Sequence, residues 1–177
     1  MQNFEVIRWT GECGYIYLIS NILMLYQIHD MIEYVNNYKT ESALQRIIHR
    51  KSLTSLPPWI EDLNEDLKKV HGYDNYELLP VFTLTHHSPG DELDWHFDSR
   101  HTPNEKYKMV MYLTESGGTQ FRINNRTLKV KPHRGDIVLF DLCYEHRGSP
   151  IKAGEKLLFG MRIGLIDNQN KEYKEDE

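Results

Sequence analysis

Apolar residues recur at threes and fours through much of the first part of the chain, then crowd into short alternating or continuous runs. In "LYQIHDMIEYVNNY", Leu25, Ile28, Ile32 and Val35 fall on one side of a helical repeat, which predicts an amphipathic helix. "TESALQRIIHR" continues the same rhythm, with Thr40 or Ser42 as N-cap. "PPWIEDLNEDLKKVHG" carries the clearest helix signal: Pro57 and Pro58 suit the first turn and acidic residues come early. Lys68 and Lys69 come late, and Gly72 supplies the stop. From about residue 77 the period shortens to that of strands. "ELLPVFTLTHH", "DWHFD", "YKMVMYLTE", "TQFRI", "RTLKVK", "GDIVLFDL" and "EKLLFGMRIGLI" are rich in β-branched and aromatic residues. They are punctuated by "SPGD", "SGG", "HRG" and "KAG". Asn124-Asn125 marks a hairpin, because asparagine tolerates positive φ.

Helices followed by a series of short strands predict an α+β fold, a jelly-roll or barrel with helices packed outside. The 177 residues suit one domain: helical support over about 22–75, a jelly-roll core over about 77–166, and a polar tail over 167–177. The net charge of −5 lowers the expectation of nucleic acid as a partner, since no lysine and arginine excess is present. The most apolar run, residues 15–28, contains Ser20, Asn21 and Gln27 and falls short of the roughly 20 apolar residues of a membrane span, so it reads as core. It also lacks the basic flank and small-residue cleavage site of a signal peptide. Cys13 and Cys143 are the only cysteines, too few and too distant to make a disulfide framework, so a reducing cytoplasm is the default compartment.

The candidate chemistry starts from "HFD". With nine histidines and aspartate at roughly 6% of positions, one His-x-Asp arises by chance about half the time. Three features raise its weight. His96 and Asp98 lie two apart in a strand-like segment, so they share a face, and a neutral imidazole with a carboxylate suits a divalent metal. His146 follows the strand "GDIVLFDLCYE" and can return to the pair once the sheet closes, giving two histidines and a carboxylate with positions left open for non-haem Fe(II). Lys156 and Arg162 then lie on one face of the last strand, where a buried cation requires an anion. Other features read as ordinary. Arg134-Gly135-Asp136 sits between strands as a turn. At most one of His86 and His87 can face a site, and Trp95 should turn away from the ligands into packing. Arg100 and His101 belong to a loop. His29, His49, His71 and His133 read as surface or core, and Cys143 is left out of the ligand set.

"HFD" with "HRGSPIKAGEK" resembles the His-x-Asp…His…Lys pattern of the Fe(II)- and 2-oxoglutarate-dependent dioxygenases, and most of all their prolyl 4-hydroxylase-like and lysyl hydroxylase-like branch. Gly148, Pro150 and Lys156 match that branch position by position. "YLTESGG" and "VKPHRGDIVLF" resemble two of its strands, so the resemblance spans about residues 80–166. It implies a double-stranded β-helix, cupin-like, with His96, Asp98 and His146 as iron ligands. Lys156 would pair with the far carboxylate of 2-oxoglutarate, Tyr112 would donate to the same carboxylate, and O2 would be the second co-substrate, with ascorbate left open as an accessory. Two departures stand out. His87 lies near the place of a tyrosine in relatives, where it takes over that hydrogen bond or signals another substrate. Arg162 leaves the anion partner ambiguous, although "MRIGLIDNQN" lacks the second arginine of the alkylated-base demethylases, which favours Lys156. The implied activity is hydroxylation of a peptidyl or free amino acid, with release of succinate and CO2. An oxygenase of a nucleobase or other small molecule is the alternative on the same scaffold, and a non-catalytic jelly-roll binding module is a third reading. The partner is then a peptide, protein or small-molecule substrate. Nothing in the sequence speaks to oligomeric state.

Overall fold

The computed structural model describes residues 4–37, 45–49, 56–71, 75–91, 93–115 and 117–166. Its elements run β1 (Glu5–Thr10), β2 (Tyr15–Ser20), α1 (Leu25–Asn37), β3 (Gln45–His49), α2 (Trp59–His71), β4 (Tyr76–His87), β5 (Glu105–Tyr112) and β6 (Thr119–Ile123). They continue with β7 (Arg126–Val130), β8 (Ile137–Asp141), β9 (His146–Gly148) and β10 (Lys156–Leu165). A seven-stranded sheet has the order β1-β2-β8-β5-β10-β4-β3, and a three-stranded sheet has the order β7-β6-β9. Every pairing is antiparallel. This is the double-stranded β-helix with helices against one sheet.

Alternation on the central strands makes two cores. On β5, Tyr107, Met109 and Met111 face the helices, whereas Val110 and Tyr112 face the space between the sheets. On β10, Leu157, Phe159, Met161 and Ile163 join the helical side, and Leu158 the inner side. Strands buried on both faces read as continuous apolar runs, which is why "YKMVMYL" and "KLLFGMRIGL" show little polarity. Helix α1 buries Ile28, Met31 and Val35. The apolar stripe is therefore rotated from the one its spacing predicts, with Ile32 only half-buried and Leu25 63% exposed. Helix α2 buries Trp59, Ile60, Leu63 and Leu67, and Trp59 Nε1 donates to Asp30 Oδ2 at 3.2 Å to tie the helices together. Asn124 and Asn125 adopt φ of 48° and 60°, as their hairpin requires.

Three expectations are corrected. The chain opens with the strands β1 and β2, because "EVIRWT" and "YIYLIS" find partners in each other and in β8; a helix-dominated first half misses them. "TESALQRIIHR" does not continue as a helix: Gln45–His49 pair with β4 as an edge strand, which suits β-branched Ile47 and Ile48, and the proposed caps Thr40 and Ser42 lie outside the described residues. Gly72, the expected stop of α2, lies outside them as well. Cys13 and Cys143 are joined by a disulfide across 130 positions. The β2–β8 pairing, Ile16 opposite Phe140, brings their two turns together, which removes the cysteine argument for a reducing compartment. Gly135 is indeed in a turn, with φ of 89°, and Asp136 beside it is buried.

Phe159 is fully buried, edge-on to Tyr34 with ring centres 5.9 Å apart and tilted against Phe82 at 5.8 Å. Phe159→Ala is expected to cost about 3–5 kcal/mol in chemical unfolding. Leu25→Ala, at an exposed position, should stay within about 0.5 kcal/mol of the parent.

Candidate active site

The segment carrying "HFD" is not a full strand. It makes one antiparallel bridge, in which His96 N donates to His146 O at 3.0 Å and His146 N donates to His96 O at 2.9 Å. That bridge places the two histidines side by side, with ring centres 4.5 Å apart. Alternation still holds around it: His96 and Asp98 point inward while Phe97 is 60% exposed. Trp95 turns to the outer side, between the guanidinium groups of Arg122 and Arg147, whose centres lie 4.5 and 4.9 Å from its ring. Its packing role takes this form.

Each imidazole is oriented by its own backbone. His96 Nδ1 lies 2.8 Å from Asp94 O and His146 Nδ1 lies 3.1 Å from Tyr144 O. A carbonyl only accepts, so both rings carry their proton on Nδ1 and present Nε2 as a lone pair. Burial holds His146 down to a pKa of about 4, against the opposing pull of Asp98, so the ring is neutral at pH 7. His96 Nε2 is buried with no hydrogen-bond partner among the described residues, and His146 Nε2 lies 3.6 Å from Asp98 Oδ2. One ligand atom from each of His96, Asp98 and His146 lies within 4.8 Å of the others. An orphaned imidazole nitrogen beside a second lone pair and a carboxylate is what a divalent ion completes, and the donor set suits Fe(II).

Asp98 is also the focus of two buried cations. Lys108 Nζ lies 3.1 Å from Oδ1 and 2.9 Å from Oδ2, and Arg162 Nη1 donates to Oδ2 at 3.0 Å. Burial alone would raise the pKa of Asp98. Lys108, His146 and Arg162 outweigh it and hold the carboxyl well below its ordinary range. Arg162 makes further contacts, with Ser99 O at 3.3 Å and Glu105 Oε2 at 3.6 Å. Glu105 in turn accepts from the His101 and Thr102 amides, which closes the loop after the first two ligands.

A cavity runs between the sheets from His96 and His146 to Lys156. Lys156 is fully buried, donates to Gly118 O at 2.6 Å, and has its pKa lowered to about 8 by burial. Gly148 keeps this end open: a Cβ there would stand 3.2 Å from Lys156 Nζ and 3.5 Å from His87 Cε1. Of the neighbouring histidines only His87 faces inward, as alternation requires. His86 lies outside with Glu155 at 3.2 Å. His87 Nε2 is buried with no hydrogen-bond partner among the described residues, and burial followed by the Lys156 charge lowers its pKa.

The structure therefore brings His96, Asp98 and His146 together and sets Lys156 in the same cavity. It places Arg162 elsewhere, committed to Asp98 and Glu105. The Tyr112 hydroxyl is engaged with Thr119 Oγ1, and its ring lies 5.8 Å from Lys156 Nζ. Sequence reasoning passed over Lys108, Glu105 and Thr119. The signal for Lys108 was present: it shares the inward face of β5 with Val110 and Tyr112, where a lone charge in an apolar strand needs a buried partner.

Residues 82–162 match the model of the 2OG-Fe(II) oxygenase superfamily, the stretch that holds the triad and both buried lysines. No curated protein matches the chain in sequence. Among solved structures, the viral collagen prolyl hydroxylase of Paramecium bursaria Chlorella virus-1, in complex with 2OG, is 16% identical. It covers 89% of this chain and 100% of that one, with a TM-score of 0.65. HygX from Streptomyces hygroscopicus, with nickel and 2-oxoglutarate bound, is 14% identical over 86% of this chain and 83% of that one, with a TM-score of 0.63. A Pseudomonas putida prolyl-4-hydroxylase is 12% identical over 85% and 92%, with a TM-score of 0.61. At these identities the likeness is one of fold. The family match lies across the triad, over residues 82–162, and this stretch is similar to the 2OG-Fe(II) oxygenase superfamily, whose members use Fe(II) and 2-oxoglutarate.

Proposed function

We propose that this oxygenase hydroxylates a peptidyl or free amino acid, turning 2-oxoglutarate into succinate and CO2. The observation that carries the reading is the buried Lys156 ammonium at the far end of a cavity whose other wall holds His96 and His146. A dry ammonium with one backbone acceptor has capacity for a carboxylate, and a charge pair there sets the length of acid admitted. His96, Asp98 and His146 would hold the iron. Bound Fe(II), with O2 and 2-oxoglutarate, supplies the oxidation of an unactivated C–H bond.

The protein's own residues do the rest. The Nδ1 tethers of the two histidines keep both Nε2 lone pairs aimed inward. Arg162 is engaged with Asp98, which supports Lys156 over Arg162 as the partner of the far carboxylate. His87, near the place where relatives carry a tyrosine, lines the cavity with an Nε2 that has no hydrogen-bond partner among the described residues, so it has capacity to contact a bound carboxylate. Thr119 lines the cavity and connects it to Tyr112, so the tyrosine acts on the co-substrate through Thr119 or by turning its hydroxyl.

Succinate should form from 2-oxoglutarate in air with Fe(II), and His96→Ala and Asp98→Ala should each abolish it. Unchanged succinate formation in either variant would remove that residue from the ligand set. Lys156→Ala should raise the KM for 2-oxoglutarate by at least tenfold, the cost of a lost buried charge pair. Arg162→Ala should lower kcat and Fe(II) affinity with a smaller change in KM; the reverse pattern would move the anion site to Arg162. Because Lys156 loses its proton near pH 8, 2-oxoglutarate affinity, measured by titration calorimetry of the Ni(II)-loaded protein, should weaken as pH rises through about 8. Lys156→Arg should remove that dependence up to pH 10 or so, since arginine stays charged.

A further inference from the structure

The cavity holds a second buried ammonium that the reaction described above does not use. Lys108 is 5% exposed, lines the cavity, and lies along Gly160, where a Cβ would stand 3.3 Å from Lys108 Cε and 3.3 Å from Thr83 Cβ. The missing side chain at residue 160 leaves the space the lysine occupies. Among the described residues Asp98 is its one anionic partner. Arg162 has two, Asp98 and Glu105. Asp98 is the carboxylate that would ligate iron, and a carboxylate bonded to a divalent ion is a weaker acceptor for its other neighbours. Arg162 keeps Glu105 in that event, whereas Lys108 has no other acid to turn to.

The charges point the same way. Asp98 and Glu105 stand against Lys108, Arg162 and Lys156, one positive charge in excess among these five buried groups. A divalent ion and a dianionic co-substrate cancel each other and leave that excess unchanged. The far carboxylate of the co-substrate is taken by Lys156 on this reading. Lys108 enters the cavity beside Gly160 and Lys156 beside Gly148, so the two ammonium groups come to it past different glycines. A buried ammonium that shares its one counter-charge with Arg162 and with a divalent ion is under-compensated, so a second anion suits this part of the cavity.

We propose that Lys108 reads a carboxylate on the substrate, so that this site takes a small carboxylate-bearing molecule, such as a free amino acid, rather than an internal residue of a peptide. The inference rests on the reading of the cavity as the 2-oxoglutarate site and narrows its substrate class. It also gives Gly160 a role, as the position that keeps the lysine inside the cavity.

The test is binding to the Ni(II)-loaded protein with 2-oxoglutarate present, by ligand-observed NMR and calorimetry. The probes are the twenty free amino acids, a set of small mono- and dicarboxylic acids, and the C-terminal amides or esters of each. At least one acid should bind at least tenfold more tightly than its amide. Lys108→Met should bring acid and amide level, while Lys108→Arg should preserve the preference. Circular dichroism and Ni(II) content would establish that each variant is folded and loaded. Amides binding as tightly as acids, no acid binding, or a preference that survives in Lys108→Met would each overturn the proposal. Succinate formation is read separately. If acids bind through Lys108 but no succinate forms with Fe(II), the hydroxylase reading fails and Lys108 stands; succinate without acid selectivity leaves the reverse.

Discussion

The carboxylate of Asp98 is the point on which the site depends. It is buried, yet ionised, because Lys108 and Arg162 both reach it and His146 lies beside it. A lone carboxylate taken out of water would protonate or stay at the surface. Here two strands are arranged to prevent either, since Lys108 on β5 and Arg162 on β10 stand opposite each other in the sheet register. The ligand loop has almost no secondary structure of its own. It is held by the single bridge to His146, by these two cations, and by Glu105 at its far end.

The same two strands separate the molecule's two kinds of interior. Their outward residues build an apolar core with α1 and α2, while their inward residues help form a cavity lined by two lysines. A rigid sheet anchored by Phe159, Met109 and Met111 can hold buried charges in fixed positions, because moving any of them would disturb close-packed side chains on the other face. The disulfide between Cys13 and Cys143 adds a tether near the last ligand. It joins the β1–β2 turn to the loop leading to His146, where Tyr144 also donates to Gly14 O at 2.8 Å.

Much of this was legible in the residues alone. The helix opened by Pro57 and Pro58, the Asn124-Asn125 hairpin and most strands of the second half follow from local signals that depend on few neighbours. His96, Asp98 and His146 were legible because alternation and strand order suffice to bring them together. What stayed hidden depends on pairing at long range. β1 and β2 look like part of an apolar run until β8 supplies an edge, and Gln45–His49 reads as helix until β4 does. Cys13 and Cys143 lie 130 residues apart, so no local rule could join them.

The chemistry of the site, two imidazoles, a carboxylate and a downstream lysine at fixed spacing, was determined by the sequence itself, since those spacings survive in any sheet that closes. The tertiary structure decided how the charges are shared. Lysine and arginine on alternating strands look interchangeable as anion partners until register and burial are known. Lys156 then opens onto the cavity, Arg162 is engaged with Asp98 and Glu105, and Lys108, unremarked in the sequence, lines the same cavity beside Asp98. The physical reason is that a buried charge takes its role from the partners within a few ångströms, and those come from strands far apart in the chain.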